Sequence, residues 1–178
     1  MDLDLKLASR EINQILWNTD KTIATAESCT AGRIATIITA APGSSTYYRG
    51  GLCCYAEEVK TNLLGVSAEV MEAQTPVCED VVRQMVIGAN RLFDTDYAVA
   101  VTGYAGPGGS PNGSVLVGTI WIAVGCEGNI VTRKLEEDNG RDQNLASATA
   151  CAVRMLLDFL KENCPKHTEE ASEGAATA

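Results

Sequence analysis

The chain has 178 residues, 46% of them hydrophobic, with a formal net charge of −9 and a pI near 4.6. That length suits one domain with a real core, and no second compositional block argues for two. The acidic balance works against nucleic acid as the main partner, because phosphate binding relies on Lys and Arg to displace counterions, but a local cluster of cations leaves room for a small charged ligand.

From Leu5 to Trp17, Leu5, Ile12, Ile15 and Leu16 recur at helical spacing, and Asn18-Thr19-Asp20 ends the run. A short apolar strand, Thr22 to Ala26, leads through Glu27-Ser28-Cys29 into a helix from Thr30 to Thr39, which "APGSS" breaks. "YYRGGLCCYA" predicts a strand over Gly51 to Tyr55. A short helix through Glu57 to Leu64 follows, then an irregular acidic stretch, then a helix over Glu79 to Phe93 with Cys78 where a Ser or Asp usually caps. A fully apolar strand, Tyr97 to Val101, runs into a long Gly/Pro/Ser/Asn loop. A second strand, Val117 to Val124, leaves that loop, and a third, Asn129 to Leu135, can pair with it as a hairpin. The last helix spans Arg141 to Leu160, and the polar residues 163–178 are expected to be disordered.

Strands alternating with helices, and continuously apolar rather than alternating strands, indicate a sheet covered on both faces. The expected fold is a single three-layer α/β/α sandwich with a mixed central sheet, occupying residues 1–162. Ligands gather at the carboxyl ends of strands in such sheets. The Ser28 turn, Tyr55 and the loop from Thr102 all follow predicted strands and so can converge.

Seven cysteines without a Cys-x-x-Cys spacing, beside a single histidine, make neither a zinc pattern nor a secreted disulfide framework. They read as reduced, mostly buried thiols. The start, "MDLDLKLASREINQ", is acidic and amphipathic, unlike a signal peptide. The longest apolar stretch, Val115 to Gly125, is about half of the roughly 20 residues that span a bilayer. The expectation is a soluble, cytoplasmic protein without a membrane or nucleic-acid partner.

The histidine, His167, falls in the polar tail, so a Ser-His-Asp or Cys-His arrangement within one chain is not expected and a serine nucleophile needs another base. Lysine is the usual substitute, since burial or a nearby cation frees its amine. Lys60, five residues after Tyr55 and on the first turns of a helix, reads equally as that base and as a solvated helical lysine. Tyr55 itself can be a strand-end packing residue. Ser28 reads as nucleophile or helix N-cap; Thr30 is an equally good cap, which would leave Ser28 free. Cys29 is a rival nucleophile that needs a helix N-terminus or a cation. Glu27 can be an acid, a base or an acceptor for backbone amides.

The loop from Thr102 to Ser114 is neither a P-loop, lacking Gly-Lys-Ser/Thr, nor a Rossmann fingerprint, since no helix opens after it. Gly103 and Gly106 would let amides approach an anion, and Thr102 adds a hydroxyl; a flexible surface loop is the alternative. Arg141 can hold a phosphate through paired donors or lie in solvent. Ser44 and Ser45 make either a plain turn or a small nest of hydroxyls and amides.

"AESCTAG" at Ala26 to Gly32, "PGSSTYYRGGLCCYAEEVKTNLLGV" at Pro42 to Val66, and "AVTGYAGPGG" at Ala100 to Gly109 with "VGTIWIAV" at Val117 to Val124 resemble the C-terminal domain of the competence-damage-inducible protein CinA. Stand-alone copies of that domain are nicotinamide-nucleotide amidohydrolases. The resemblance covers about residues 5 to 162. It implies an α/β/α enzyme, commonly oligomeric, that converts nicotinamide mononucleotide to nicotinic acid mononucleotide and ammonia without a metal or other cofactor. Carried onto this chain, the family's serine, lysine and tyrosine are Ser28, Lys60 and Tyr55, its Thr-Gly-x-Ala-Gly-Pro loop is Thr102 to Pro107, and its terminal-helix arginine is Arg141. Thr30, Ser44, Ser45, Thr102, Gly103, Ala105, Gly106 and Arg141 form the implied substrate-binding set. The chain departs from the family at Ala31-Gly32, where Gly-Gly is usual, at Val115-Leu116 for Lys-Pro, at Cys78 for a capping serine, and at Leu145 for a second arginine. A non-catalytic nucleotide-binding module of the same fold is the other reading; the intact Ser28, Tyr55 and Lys60 argue against it.

Overall fold

The computed structural model describes residues 3–164. Along the chain these form α1 (Leu3–Trp17), β1 (Ile23–Glu27), α2 (Arg33–Ile38), a 3-10 turn (Ser44–Thr46), β2 (Tyr48–Cys53), α3 (Glu57–Leu64), α4 (Ala68–Gln74), α5 (Glu79–Phe93), β3 (Tyr97–Gly103), β4 (Ile120–Cys126), β5 (Asn129–Leu135) and α6 (Arg141–Asn163). The five strands form one sheet in the order β2-β1-β3-β4-β5. β1 pairs in parallel with β2 and with β3, because helical crossovers separate them in sequence; β4 is antiparallel to β3 and to β5. The sheet is therefore mixed, and the β4–β5 hairpin forms as the sequence leads one to expect.

Strand order reverses direction at β1: the chain leaves it for β2 on one side and returns to β3 on the other. Right-handed crossovers then require the two connections to cover opposite faces. α1, α2 and α6 cover one face with a core that takes Ile23, Val99, Val101, Ile120, Ile122 and Val124 from the strands. α3, α4 and α5 cover the other, over Ala26, Ala98, Ala100 and Ala123. On this second face α5 also comes close to α3. A Cβ on Gly88 of α5 would sit 2.1 Å from the Leu64 carbonyl oxygen, so only glycine allows that approach.

Several boundaries differ from the sequence reading, and four differences have a local reason. α2 begins at Arg33 instead of Thr30, because a carboxylate from β1 caps it, as described below. β2 starts at Tyr48, opposite Ile23, and ends at Cys53, which leaves Tyr55 beyond the strand. The stretch read as irregular contains α4, whose N-cap Ser67 accepts from the Val70 amide at 3.2 Å. β4 starts at Ile120 because Gly118 folds back to donate to the Tyr104 carbonyl at 2.7 Å. Asn163 closes α6 and Cys164 is buried; the rest of the tail expected to be disordered, with His167, lies outside the described residues. No helix among the described residues is long and apolar enough to cross a membrane.

Candidate active site

β1 ends in Glu27, which pairs with Cys53 of β2 on one side and Val101 of β3 on the other. The next residue therefore emerges at the middle of the parallel strands, at the point where strand order reverses, the usual place for a ligand in an open α/β sheet. That residue is Ser28. Its amide donates to the Val101 carbonyl at 2.9 Å, which fixes the backbone and leaves the hydroxyl to point into the cleft.

Glu27 explains the turn that follows. Its carboxylate is buried and accepts from the amides of Gly32 (3.0 Å), Ile34 (3.1 Å) and Ala35 (2.9 Å). It does for α2 what a capping hydroxyl does elsewhere, so Thr30 is not the cap and residues 28–31 form a turn of their own. Ala31 and Gly32 carry that turn through positive φ, 48° and 90°. Among the described residues the amides of Cys29 and Thr30 donate to no carbonyl, and both stand beside the Cys29 sulfur. The Thr30 hydroxyl is also buried without a partner, and it does not line the cleft.

Lys60 reaches Ser28 from α3. The Cys54 amide donates to the Glu27 carbonyl at 2.9 Å, carrying the chain past the end of β1, and α3 starts three residues on. Lys60 lies on the inward side of that helix and is 2% exposed. Its Nζ donates to Ser28 Oγ at 3.3 Å, and it forms no ion pair among the described residues. Burial pushes its pKa below the ordinary 10.5, against the opposing pull of Cys54, Glu57 and Cys29. The neutral amine is thus more accessible than in a solvated lysine.

Cys29, the rival nucleophile, is 5% exposed and packs in the core under α2 and α6. Burial raises its pKa to about 11, so the thiol stays protonated at neutral pH. Cys54 is raised to about 11 in the same way.

The far wall of the cleft comes from the end of β3, which runs two residues past the expected Val101, and from the loop after it. The Thr102 hydroxyl donates to the Pro76 carbonyl at 2.8 Å, and so is tied to the α4–α5 connection. Gly103 passes so close to β4 that a Cβ would meet Ile120 Cγ1 at 2.5 Å. The peptide between Gly106 and Pro107 is cis. Arg141, the first residue of α6, donates to the Gly106 carbonyl at 2.7 Å and to the Tyr55 hydroxyl at 3.4 Å. Ser28, Lys60, Tyr55, Thr102, Gly103, Ala105, Gly106 and Arg141 thus border one cleft of about 220 Å3.

Ser44 and Ser45 are not brought there. They precede β2, and a residue before a parallel strand lies at the amino end of the sheet; the neighbouring Tyr47 carbonyl accepts the first amide of β1, Ile23, at 2.8 Å. The two serines stand at the opposite edge from Ser28.

Four side chains that matter here were not assigned a role from the sequence. Glu27 was open to several readings there, and of these the structure shows the acceptor for backbone amides. Asn144 gave no local signal: buried one turn into α6, it donates to the Ala105 carbonyl (3.0 Å) and to Asp138 (2.9 Å), and accepts from the Asn139 amide (2.9 Å). It ties the loop after β3 to the start of the helix that carries Arg141. Glu57 and Tyr104 also line the cleft. Among the described residues no group of three or more His, Cys, Asp or Glu side chains is placed to hold a metal ion.

Known proteins share this arrangement of chain. The family model of the CinA C-terminal domain matches residues 6–160. The nicotinamide-nucleotide amidohydrolase PncC of Escherichia coli K12 is 36% identical over 163 residues, 91% of this chain and 98% of that protein. A CinA-like protein of Cytophaga hutchinsonii is 38% identical over 151 residues, 85% of this chain and 36% of the longer protein. The chain spans about a third of the length of the CinA-like relatives it matches. Among solved structures, the competence/damage inducible protein CihA of Agrobacterium tumefaciens superposes with a TM-score of 0.83 at 32% identity, covering 90% of this chain and 99% of that one. A CinA superfamily protein of Klebsiella pneumoniae superposes with a TM-score of 0.82 at 30% identity, covering 89% and 98%. With the motifs in order, the sheet shared and nearly the whole described chain matched, this protein belongs to the CinA C-terminal domain family.

Proposed function

We propose that the chain is an amidohydrolase that converts nicotinamide mononucleotide and water to nicotinic acid mononucleotide and ammonia. The observation that carries the reading is the buried contact of 3.3 Å between Lys60 Nζ and Ser28 Oγ, in which the lysine forms no ion pair among the described residues. The similarity to the Escherichia coli amidohydrolase over nearly the whole of both chains supports the substrate.

In the proposed reaction the neutral Lys60 amine accepts the Ser28 proton as Oγ attacks the carboxamide carbon. The amides of Cys29 and Thr30, which donate to no carbonyl, supply donors for the developing oxyanion, the place where fixed dipoles contribute most. The carbon–nitrogen bond then breaks, the proton on Lys60 passes to the departing amine, and ammonia leaves an ester on Ser28. Water, giving its proton to Lys60, hydrolyses the ester and regenerates the hydroxyl. Tyr55 stands at the rim and helps relay the proton to the leaving nitrogen. Arg141 and the loop from Thr102 to Gly106 hold ribose and phosphate; Ser44 and Ser45, at the other end of the sheet, have no part in this cleft.

Ammonia release from nicotinamide mononucleotide tests the reading, with wild type, Ser28→Ala and Lys60→Met compared at equal folded concentration. Loss of release in both variants supports it; near wild-type release by Ser28→Ala removes the nucleophile. Mass spectrometry of a rapidly quenched wild-type reaction should find the chain heavier by the nicotinoyl nucleotide. An activated-water mechanism gives no such adduct.

A further inference from the structure

We propose that the cleft selects a carboxamide on a positively charged ring: the Glu57 carboxylate, which borders the cleft together with Tyr55 and Tyr104, faces the cation, while Arg141 faces the phosphate of the same ligand. The inference rests on the nucleotide reading above and adds to it a part of the substrate that the Ser28–Lys60 contact does not address. In nicotinamide mononucleotide the ring nitrogen bonded to ribose is a quaternary pyridinium, so the molecule carries a positive charge beside the carboxamide and a negative one at the phosphate.

The charges bordering the cleft match that order. Glu57 is the one carboxylate among the residues that line it, against the two basic residues Lys60 and Arg141. Among the described residues its carboxylate makes no hydrogen bond and no ion pair. It stands in the first turn of α3, three residues before Lys60, and so shares that residue's side of the helix. It is also close to Tyr104, whose hydroxyl is raised by burial first and by Glu57 second.

An unpaired acid in a cleft meant for a phosphate ester, on a chain of net charge −9, opposes binding unless the ligand brings a cation to it. The bland explanation, that an acid in the first turn favours the helix dipole, is already met by Glu58, which does not line the cleft. Tyr55 and Tyr104 add the negative faces of two rings, which attract a cation and repel nothing neutral. A flat pyridinium set among them gains from the acid and from the rings. A neutral ring of the same shape gains much less.

The test compares nicotinamide mononucleotide with its reduced form, whose dihydropyridine ring is uncharged but keeps the carboxamide, ribose and phosphate. Dissociation constants for both are measured by calorimetry on Ser28→Ala protein, which cannot turn either over, and on Ser28→Ala/Glu57→Gln. We expect Ser28→Ala to bind the oxidised form more tightly. Glu57→Gln should cut that preference about three- to fivefold, the size of an ion pair open to solvent, and leave the reduced form within twofold. An unchanged preference, an equal loss for both forms, or no binding of either form overturns the inference. The two readings separate cleanly. Ammonia release with a preference independent of Glu57 keeps the reaction and removes this inference. A Glu57-dependent preference without ammonia release does the reverse.

Discussion

The two ends of the parallel strands treat their polar groups in opposite ways. At the amino end, Asp96 accepts from Lys21 Nζ at 2.7 Å, from the Thr22 amide at 2.8 Å and from the Thr22 hydroxyl at 3.0 Å, and its own amide donates back to that hydroxyl at 3.2 Å. At the carboxyl end Lys60 has one bond of 3.3 Å, the Thr30 hydroxyl has none, and two neighbouring amides donate to no carbonyl. Buried polar groups left so sparsely bonded cost stability. The same strands thus hold a closed network at one end and open valences at the other, and only the open end has anything left to offer a ligand.

The largest effect that would sharpen this contrast is at Ser28. Ser28→Ala should lower the rate of ammonia release at least about a thousandfold, as removal of a nucleophile commonly does, with thermal stability unchanged or slightly higher. Lys60→Met comes next, with a loss of about a hundredfold or more in kcat and, in the opposite sense, a higher Tm, because a buried amine is replaced by an apolar side chain of similar length. The pH dependence follows from the same burial. The base works when neutral, so wild-type kcat should rise with pH through a pKa below 10.5. Folded Lys60 also holds its proton less tightly than the unfolded chain, so stability should climb between that folded pKa and 10.5, a climb that Lys60→Met flattens in denaturant titrations.

Asn144→Ala should act more gently and on binding. With the Ala105 carbonyl and Asp138 released, KM for nicotinamide mononucleotide should rise about tenfold, kcat should fall less, and stability should drop by about 1–3 kcal/mol. The smallest effect on catalysis belongs to the closed end. Burial alone would raise the Asp96 carboxyl, but Lys21 and Thr22 outweigh it and hold its pKa below the ordinary 3.8. Asp96→Asn should therefore cost about 1–2 kcal/mol at neutral pH, a difference that shrinks as acid takes the pH below 3.8 and through the depressed value. It should leave kcat and KM alone. A tenfold fall in kcat on Asp96→Asn would break the separation of the two ends.

The strands and long helices were readable because their cores leave a periodic imprint; Tyr97 to Val101 is apolar throughout and is buried throughout. α4 was not, since seven residues with one buried methionine leave almost no pattern. At the site, the placement of Ser28, Lys60, Thr102 and Arg141 was legible because each lies at the end of a strand or in the first turn of a helix. Ser44 and Ser45 were misplaced by the same logic applied without topology: hydroxyls in a turn look alike at either end of a strand, and only the parallel pairing of β2 with β1 decides the end. Thr30 was read as a cap because local rules favour the nearest hydroxyl, whereas the actual cap, Glu27, acts from inside the preceding strand. Asn144 works through contacts with residues up to 39 positions away, which no window of sequence encodes.

Gly88 lies in none of these lists, yet the depth of the base depends on it. Its bare backbone rests against the last turn of α3, and the other end of that short helix carries Lys60 and Glu57. A methyl group there has nowhere to go except into a carbonyl, so α3 would have to rock outward as a unit, lengthening the reach from amine to hydroxyl without touching either. The spacing of Lys60 from Ser28 is thus tied to a bare stretch of backbone on a neighbouring helix that borders no part of the cleft.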